Sequence, residues 1–329
     1  MELAELKEKI FSIENKQDFE RLAFEVFHFQ YENSPVYRKF CDALGKKPSQ
    51  ITEIINIPFL PIEFFKSHKI LSKQAQTEEI FTSSGTTGNQ VSKHYVSDLK
   101  IYETAFVKAF EEKYGKLTDY VVLALLPSYL ERTGSSLIYM VNAFMEKSNH
   151  PRNGFYLDDL KSLSLTLKEL DKEGKKILLI GVSFALLDLI EKEKFQLKNT
   201  IVMETGGMKG RKKEITRQEL HQHLKKGFGV KNIHSEYGMT ELLSQAYSNE
   251  NGVFSCPKWM KVFIREPHDP FEFLPFGKSG GINIIDLANI NSCSFIATQD
   301  LGRIYENGKF EVIGRFDHSD IRGCNLMAL

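Results

Sequence analysis

Residues 81–88, Phe-Thr-Ser-Ser-Gly-Thr-Thr-Gly, gather hydroxyls at Thr82, Ser83, Ser84, Thr86 and Thr87 around Gly85 and Gly88. Such a run adds little apolar area to a core and carries a large backbone entropy. It suits a loop that closes on a polyanion. Glycine lets the backbone approach closely, successive N–H groups form an anion-binding concavity, and the hydroxyls add donors that can reorient as a phosphate moves. The P-loop pattern requires Lys and then Ser or Thr after the second glycine. Here Asn89-Gln90 follow Gly88, and the nearest cation is Lys93. A hydroxyl-rich surface loop is the plainer reading of the same residues.

The elements around this loop follow from hydrophobic periodicity. Residues 1–30 carry helical apolar stripes (Leu3, Leu6, Ile10, Ile13, then Phe19, Leu22, Phe24, Val26, Phe27), and the Phe-rich segment with Pro58 and Pro61 completes an N-terminal cap. Ser97-Asp98 can start a helix reaching Tyr114. From residue 119 buried strands alternate with helices: strands at Tyr120–Leu126, Lys176–Val182, Thr200–Met203 and Val230–His234, helices at 133–147, Phe184–Lys192 and Arg211–Lys226. That alternation implies βαβ units and a mostly parallel sheet. Ligands on such sheets sit beyond the carboxyl ends of the strands, where the polar turns 204–207 and 235–241 fall. Past Gly252 short strands replace helices: Trp259–Ile264, Gly281–Ile285, Cys293–Ala297, Arg303–Tyr305 and Lys309–Ile313. The expected architecture is α/β, mostly parallel with flanking helices, plus a small C-terminal antiparallel sheet or barrel. The expected division is 1–252 as nucleotide-binding region and 253–329 as small β subdomain.

Composition narrows the function. Lys+Arg and Asp+Glu balance at 43 each in 329 residues, so no global field steers the chain to nucleic acid or an anionic membrane. Cys41, Cys256, Cys293 and Cys324 are too scattered for a disulfide framework or a C-x-x-C metal site. The charged stretch from Met1 to Glu20 lacks the apolar core of a signal peptide, and no apolar run approaches the ~18 residues of a membrane span. The expectation is a cytoplasmic globular protein. Buried structural cysteines are expected at 41, 256 and 293, a core or barrel-edge residue at Trp259, and solvated side chains at His221 and His223. His94 stands near the loop and could line a phosphate or acyl site.

Taken together in order, the loop at 81–88, Glu236-Tyr237-Gly238-Met239-Thr240-Glu241, Thr298-Gln299-Asp300 and Gly314-Arg315-Phe316-Asp317 resemble the adenylate-forming superfamily of acyl-CoA synthetases, firefly luciferase and peptide-synthetase adenylation domains. The resemblance implies ATP and Mg²⁺ as cofactors and a carboxylic acid as substrate. It implies that Ser83, Ser84, Gly85, Thr86, Thr87 and Gly88 bind the phosphates and that Gly206 and Gly207 line the nucleotide pocket. Tyr237 is then the adenine platform, Thr240 the phosphate residue, Glu241 the metal ligand, Asp300 the ribose residue and Arg315 a phosphate contact. The chemistry is coherent. A carboxylic acid is inert until its oxygen becomes a leaving group, and joining it to the α-phosphate of ATP does this with a barrier made mostly of charge and orientation.

Within the superfamily the chain is more similar to the acyl-protein synthetases of bacterial luminescence. The similarity lies in Phe81–Gly88 continuing through Lys93-His94-Tyr95-Val96-Ser97-Asp98, in Leu126-Pro127-Ser128-Tyr129-Leu130-Glu131-Arg132, and in Asp320-Ile321-Arg322-Gly323-Cys324. That family activates a fatty acid and moves it onto its own cysteine near the C-terminus, which implies Cys324 as acyl acceptor. Its thiol needs activation from a resting pKa of ~8.5, with Arg322 or His318 to supply positive charge. An acyl-accepting protein, a carrier or CoA stays open as the final acceptor. The sequence stops just past the Gly-Arg-x-Asp turn, where most adenylate-forming enzymes continue into a lid bearing a lysine. Lys93, or a partner, is the expected substitute.

Two other readings stand beside this one. Gly181-Val182-Ser183-Phe184-Ala185 follows a strand and precedes a helix, close to the G-x-S-x-G elbow of α/β-hydrolases, with Ser183 as nucleophile, though Ala185 replaces the second glycine. A non-catalytic nucleotide- or acyl-binding relative would keep the loops without the chemistry.

Overall fold

A computed structural model describes residues 3–83, 91–127, 133–206 and 215–316. In chain order the helices are α1 (Leu3–Ile10), α2 (Lys16–Asn33), α3 (Pro35–Ala43), the single turn α4 (Phe64–Ser67), α5 (Leu99–Tyr114), α6 (Ser136–Ser148), α7 (Leu160–Lys172), α8 (Ser183–Lys192) and α9 (Arg217–Phe228). The strands are β1 (Leu60–Pro61), β2 (Glu79–Thr82), β3 (Lys93–Val96), β4 (Tyr120–Leu125), β5 (Gly154–Phe155), β6 (Lys176–Val182), β7 (Thr200–Thr205) and β8 (His234–Tyr237), followed by β9 (Ala246–Ser248), β10 (Val253–Ser255), β11 (Met260–Arg265), β12 (Ser279–Asp286), β13 (Phe295–Ile304) and β14 (Phe310–Arg315). The chain divides into two compact units, one of Met1–Phe64, Ile70–Lys73 and Lys258–Leu329, the other of Phe65–Lys69 and Gln74–Pro257.

In the first unit β11 to β14 form an antiparallel meander, and β1 pairs parallel with β13. Helix α2 starts at Asn15, whose side chain accepts from the Asp18 N–H, and it buries Phe19, Leu22, Ala23, Val26 and Phe27 on one stripe. Phe27, Tyr37 and Phe295 pack ring to ring, with 5.9–6.1 Å between centroids. Buried Gln30 donates from Nε2 to the carbonyls of Asn289 and Ile290 and accepts from the Ser294 N–H, which pins α2 to the turn before β13. Trp259 is a core residue, edge-on to Phe11 at 5.0 Å. Burial pushes the Cys41 thiol up to about 12 and raises that of Cys293, so both are inert packing residues. Cys256 is only half-buried.

The second unit holds the sheet β5-β4-β6-β7-β8-β9-β10, parallel from β5 to β8 and antiparallel beyond. β4 is buried at every position and β6 at all but its first, as befits strands covered on both faces. Asp98 caps α5 through the Ile101 N–H, as the sequence predicts. β2 and β3 form a separate two-stranded hairpin with Phe81 opposite His94. The chain is thus α/β, with a parallel sheet, flanking helices and a small antiparallel sheet.

Boundaries differ from the sequence reading where local chemistry intervenes. Helix α9 begins at Arg217 because Thr216 and Glu219 form a capping box; the expected start at residue 211 falls outside the described residues. It ends at Gly229 in the left-handed region (φ +68°), so 230–233 is a connection and the fourth strand is the polar His234–Tyr237. The expected strands 293–297 and 303–305 are one strand, β13, bent by a register shift at Leu301/Gly302.

Candidate functional site

The register of the parallel strands sets three turns side by side. Val182 of β6 is opposite Thr205 of β7, and Thr205 is opposite Glu236 of β8. Their carboxyl ends therefore emerge together as Ser183, Gly206 and Tyr237-Gly238. Gly206 takes φ +69°, which a side chain would strain. Gly238 leaves room for the Glu236 carboxyl, since a Cβ there would lie 2.5 Å from Glu236 Oε1.

Beneath the turns lies a buried polar cluster. The Ser183 hydroxyl donates to the Gly206 carbonyl at 2.8 Å and lies 3.3 Å from Glu204 Oε2. Glu204 Oε1 faces His221 Nε2 at 3.6 Å and Arg217 Nε at 3.7 Å. Burial works against ionising Glu204, but His221, Arg217 and Ser235 outweigh it and hold its pKa below the ordinary value. Glu236 differs. Burial pushes its carboxyl up to about 7; the hydrogen bond from Thr205 opposes the rise and the neighbouring Glu204 charge adds to it. The sequence reading passed over this pair and left His221 in solvent, yet His221 is 4% exposed. Its partner sits 17 positions earlier at a strand end (221 − 204), and no local pattern announces that contact. His223 is solvated, as expected.

The same cluster disposes of the hydrolase reading. Ser183 is 2% exposed and its hydroxyl serves a carbonyl and a carboxylate. A nucleophilic serine donates to a histidine that a carboxylate orients. Here the carboxylate stands between serine and histidine, and the imidazole faces Glu204 instead.

The hairpin carries the ends of the hydroxyl-rich loop. Ser83 N–H donates to the Ser92 carbonyl (3.1 Å) and Ser92 N–H to Ser83 Oγ (3.0 Å), closing the loop's neck. Ser84, Gly85, Thr86, Thr87 and Gly88 lie outside the described residues, as do Gly207, Asp317 and Cys324. Lys93 is exposed on β3, opposite Thr82. His94 is 1% exposed, and its Nδ1 lies 2.8 Å from the Thr240 carbonyl oxygen. The hairpin is thereby joined to the Tyr237–Glu241 segment, a contact across 146 positions that the sequence reading missed. Tyr237 and Thr240 are half-buried, and Glu241 is 6% exposed at a turn closed by Leu242 N–H to the Met239 carbonyl. Glu241 is a buried carboxylate next in sequence to Thr240, and oxygen donors of these types fit Mg²⁺, which keeps waters and takes phosphate oxygens as its other ligands. Among the described residues no three His, Cys, Asp or Glu side chains group to hold a metal by themselves.

Asp300 and Arg315 are in the first unit, paired in register between β13 and β14, with Arg315 Nε 3.2 Å from Asp300 Oδ1. The Asp300 N–H donates to Thr298 Oγ1, and that hydroxyl donates to the Ile282 carbonyl. Arg265, 9% exposed, holds this bend by donating to the Ile282 and Thr298 carbonyls and to Asn283 Oδ1. Among the described residues no helix is long and apolar enough to cross a membrane.

Known proteins resemble this chain in sequence and in fold. The long-chain-fatty-acid–luciferin-component ligase of Vibrio harveyi is 24% identical over 349 residues, covering 95% of this chain and 88% of that protein. The ligase of the same name from Photorhabdus luminescens is 39% identical over 69 residues, 21% of this chain and 59% of that protein. Among solved structures, an open 2-hydroxyisobutyryl-CoA ligase in complex with 2-HIB-AMP and CoA superposes with a TM-score of 0.67 at 12% identity, over 92% of this chain and 71% of that one. ATP-bound MatB from Rhodopseudomonas palustris gives 0.52 at 17% identity, over 72% of this chain and 47% of that one, so the chain spans about half the length of that protein. At such identities these structures show the fold alone: that of the adenylate-forming ligases. The model of the family described as acyl-protein synthetase, LuxE, matches residues 9–328, and the chain belongs to that family of ligases.

Proposed function

We propose that this chain activates a carboxylic acid, a fatty acid by analogy with its named relatives, as an acyl-adenylate at the expense of ATP, and passes the acyl group to a thiol. In the first step a carboxylate oxygen attacks the α-phosphorus, the bond to the bridging oxygen of pyrophosphate breaks, and pyrophosphate leaves with that electron pair. In the second, a thiolate attacks the acyl carbon and AMP departs. Cys324 is the acceptor in this reading, with a carrier protein or CoA further along the route; the chain acts in the cytoplasm.

The observation that carries the reading is the contact between His94 and the Thr240 carbonyl. It brings the neck of the hydroxyl-rich loop to the segment bearing Tyr237 and Glu241 beyond the carboxyl ends of the parallel strands. Tyr237 offers a half-buried ring, 5.8 Å from that of Phe254, as the adenine platform. Thr240 and Glu241 would hold the phosphates and Mg²⁺, which would supply positive charge to the phosphate oxygens. Asp300 takes the ribose hydroxyls, and Arg315 exchanges its carboxylate partner for phosphate. Lys93 supplies positive charge from β3 during adenylation. The test is hydroxylamine trapping. Enzyme, ATP, Mg²⁺ and a panel of carboxylic acids should yield the hydroxamate of an accepted acid together with AMP. Absence of any hydroxamate while ATP still binds would favour a non-catalytic nucleotide-binding role.

A further inference from the structure

The two ends of the hydroxyl-rich loop and the Thr240–Glu241 peptide are far apart in sequence, yet one buried side chain on the strand that leaves the loop reaches that peptide. His94 lies on β3 opposite Phe81. Two positions before it, Ser92 closes the loop's neck against Ser83 through a reciprocal pair of hydrogen bonds. Its ring stands edge-on to Phe65 at 5.7 Å and 88°, which fixes the plane of the imidazole. A carbonyl oxygen can only accept, so the proton is on Nδ1 where it faces Thr240, and that bond persists whether or not Nε2 is protonated.

The acceptor gives the contact its meaning. The Thr240 carbonyl belongs to the peptide that joins Thr240 to Glu241, and because that peptide is planar, an anchor on its oxygen restricts how the two Cα atoms can move. The turn's own closure, Leu242 N–H to the Met239 carbonyl, does not use that oxygen. We propose that His94 is a positioning residue for adenylation: through Nδ1 it fixes the Thr240–Glu241 peptide relative to the loop's neck, so that the phosphate hydroxyl and the metal carboxylate stay in register. The proposal rests on the reading of Thr240 and Glu241 as phosphate and metal residues. Misplacement of such groups by ~1 Å can cost about a hundredfold in rate.

Three variants separate positioning from bulk packing. In His94→Asn the amide nitrogen occupies the place of Nδ1 and keeps the donor. In His94→Gln the amide falls where Nε2 lies, and in His94→Phe the ring stays while the donor is lost. Acid-dependent pyrophosphate exchange should fall about tenfold or more in His94→Gln and His94→Phe, with half-maximal Mg²⁺ raised several-fold and the KM for the acid unchanged. His94→Asn should stay within about threefold of wild type. Amide hydrogen exchange of peptides spanning 238–245 should quicken in His94→Phe and not in His94→Asn. Equal losses in the Asn and Phe variants, or wild-type Mg²⁺ dependence in all three, would overturn the positioning role. Should wild type fail to exchange pyrophosphate with every acid tested, the adenylation reading fails. The amide-exchange contrast between Asn and Phe then decides by itself whether His94 holds this peptide, and equal protection would overturn the proposal.

Discussion

Thr205 and Glu236 face each other across neighbouring parallel strands, and the Thr205 hydroxyl donates to Glu236 Oε2 directly under the Tyr237-Gly238 turn. Burial raises the Glu236 carboxyl and the neighbouring Glu204 charge adds to the rise, which together outweigh the hydrogen bond from Thr205. The carboxyl is therefore neutral in the folded protein through mildly acidic pH, with a pKa of about 7 against an ordinary 4.5.

Linkage gives the sign of the consequence. A raised folded-state pKa contributes stability that is complete below about 4.5 and is lost as pH rises through about 7. Relative to Glu236→Gln, which keeps the shape without the charge, wild type should lose up to roughly 3 kcal/mol between pH 5 and pH 8.5. Urea unfolding of both proteins at the two pH values measures this. Parallel pH profiles would show that Glu236 is not held neutral.

Ser183 is a structural donor. Ser183→Ala should cost about 1–3 kcal/mol by leaving the Gly206 carbonyl and Glu204 short of a partner. Acyl activation at permissive temperature should remain, and a fluorophosphonate should not label wild type. Covalent labelling of Ser183 would restore the hydrolase reading.

The Asp300–Arg315 pair is exposed on the arginine side, 72% for that side chain. Its worth to folding is therefore small, about 0–1 kcal/mol. Arg315→Ala and Asp300→Asn should each raise the KM for ATP by about tenfold while moving the melting temperature little. A lowered melting temperature with an unchanged KM would assign the pair a purely structural role.

For Cys324, wild type given ATP and its acid should gain a hydroxylamine-labile acyl mass on the peptide containing that residue. In Cys324→Ser the thioester should vanish, replaced by a slower-forming, more stable ester or by nothing, because a thiolate is the better nucleophile at neutral pH. A label on another residue, or on added CoA alone, would remove Cys324 from the route.

The strands β4 and β6 were legible because they are continuous apolar runs, and α5 because Asp98 is an ordinary cap. The strand β8 was not, because His-Ser-Glu-Tyr has no apolar signature; it pairs because β7 offers it an edge, while Val230 and Ile233 only mimic a strand. The chemistry-bearing types at Thr240, Glu241, Asp300 and Arg315 were visible as motifs. What supports them was invisible. His94 to Thr240, Glu204 to His221 and Arg265 beneath the β13 bend are long-range contacts, and a sequence shows residue types along one dimension only.

The account stands most directly on acid-dependent exchange of radiolabelled pyrophosphate into ATP, measured for wild type and Glu241→Gln over a carboxylic-acid panel. Wild type should exchange with at least one acid and not without acid. Glu241→Gln, which keeps shape and removes charge, should fold normally and lose about a hundredfold or more of that rate. Exchange by Glu241→Gln at the wild-type rate would contradict the metal role, and no exchange by wild type with any acid would contradict the adenylation itself.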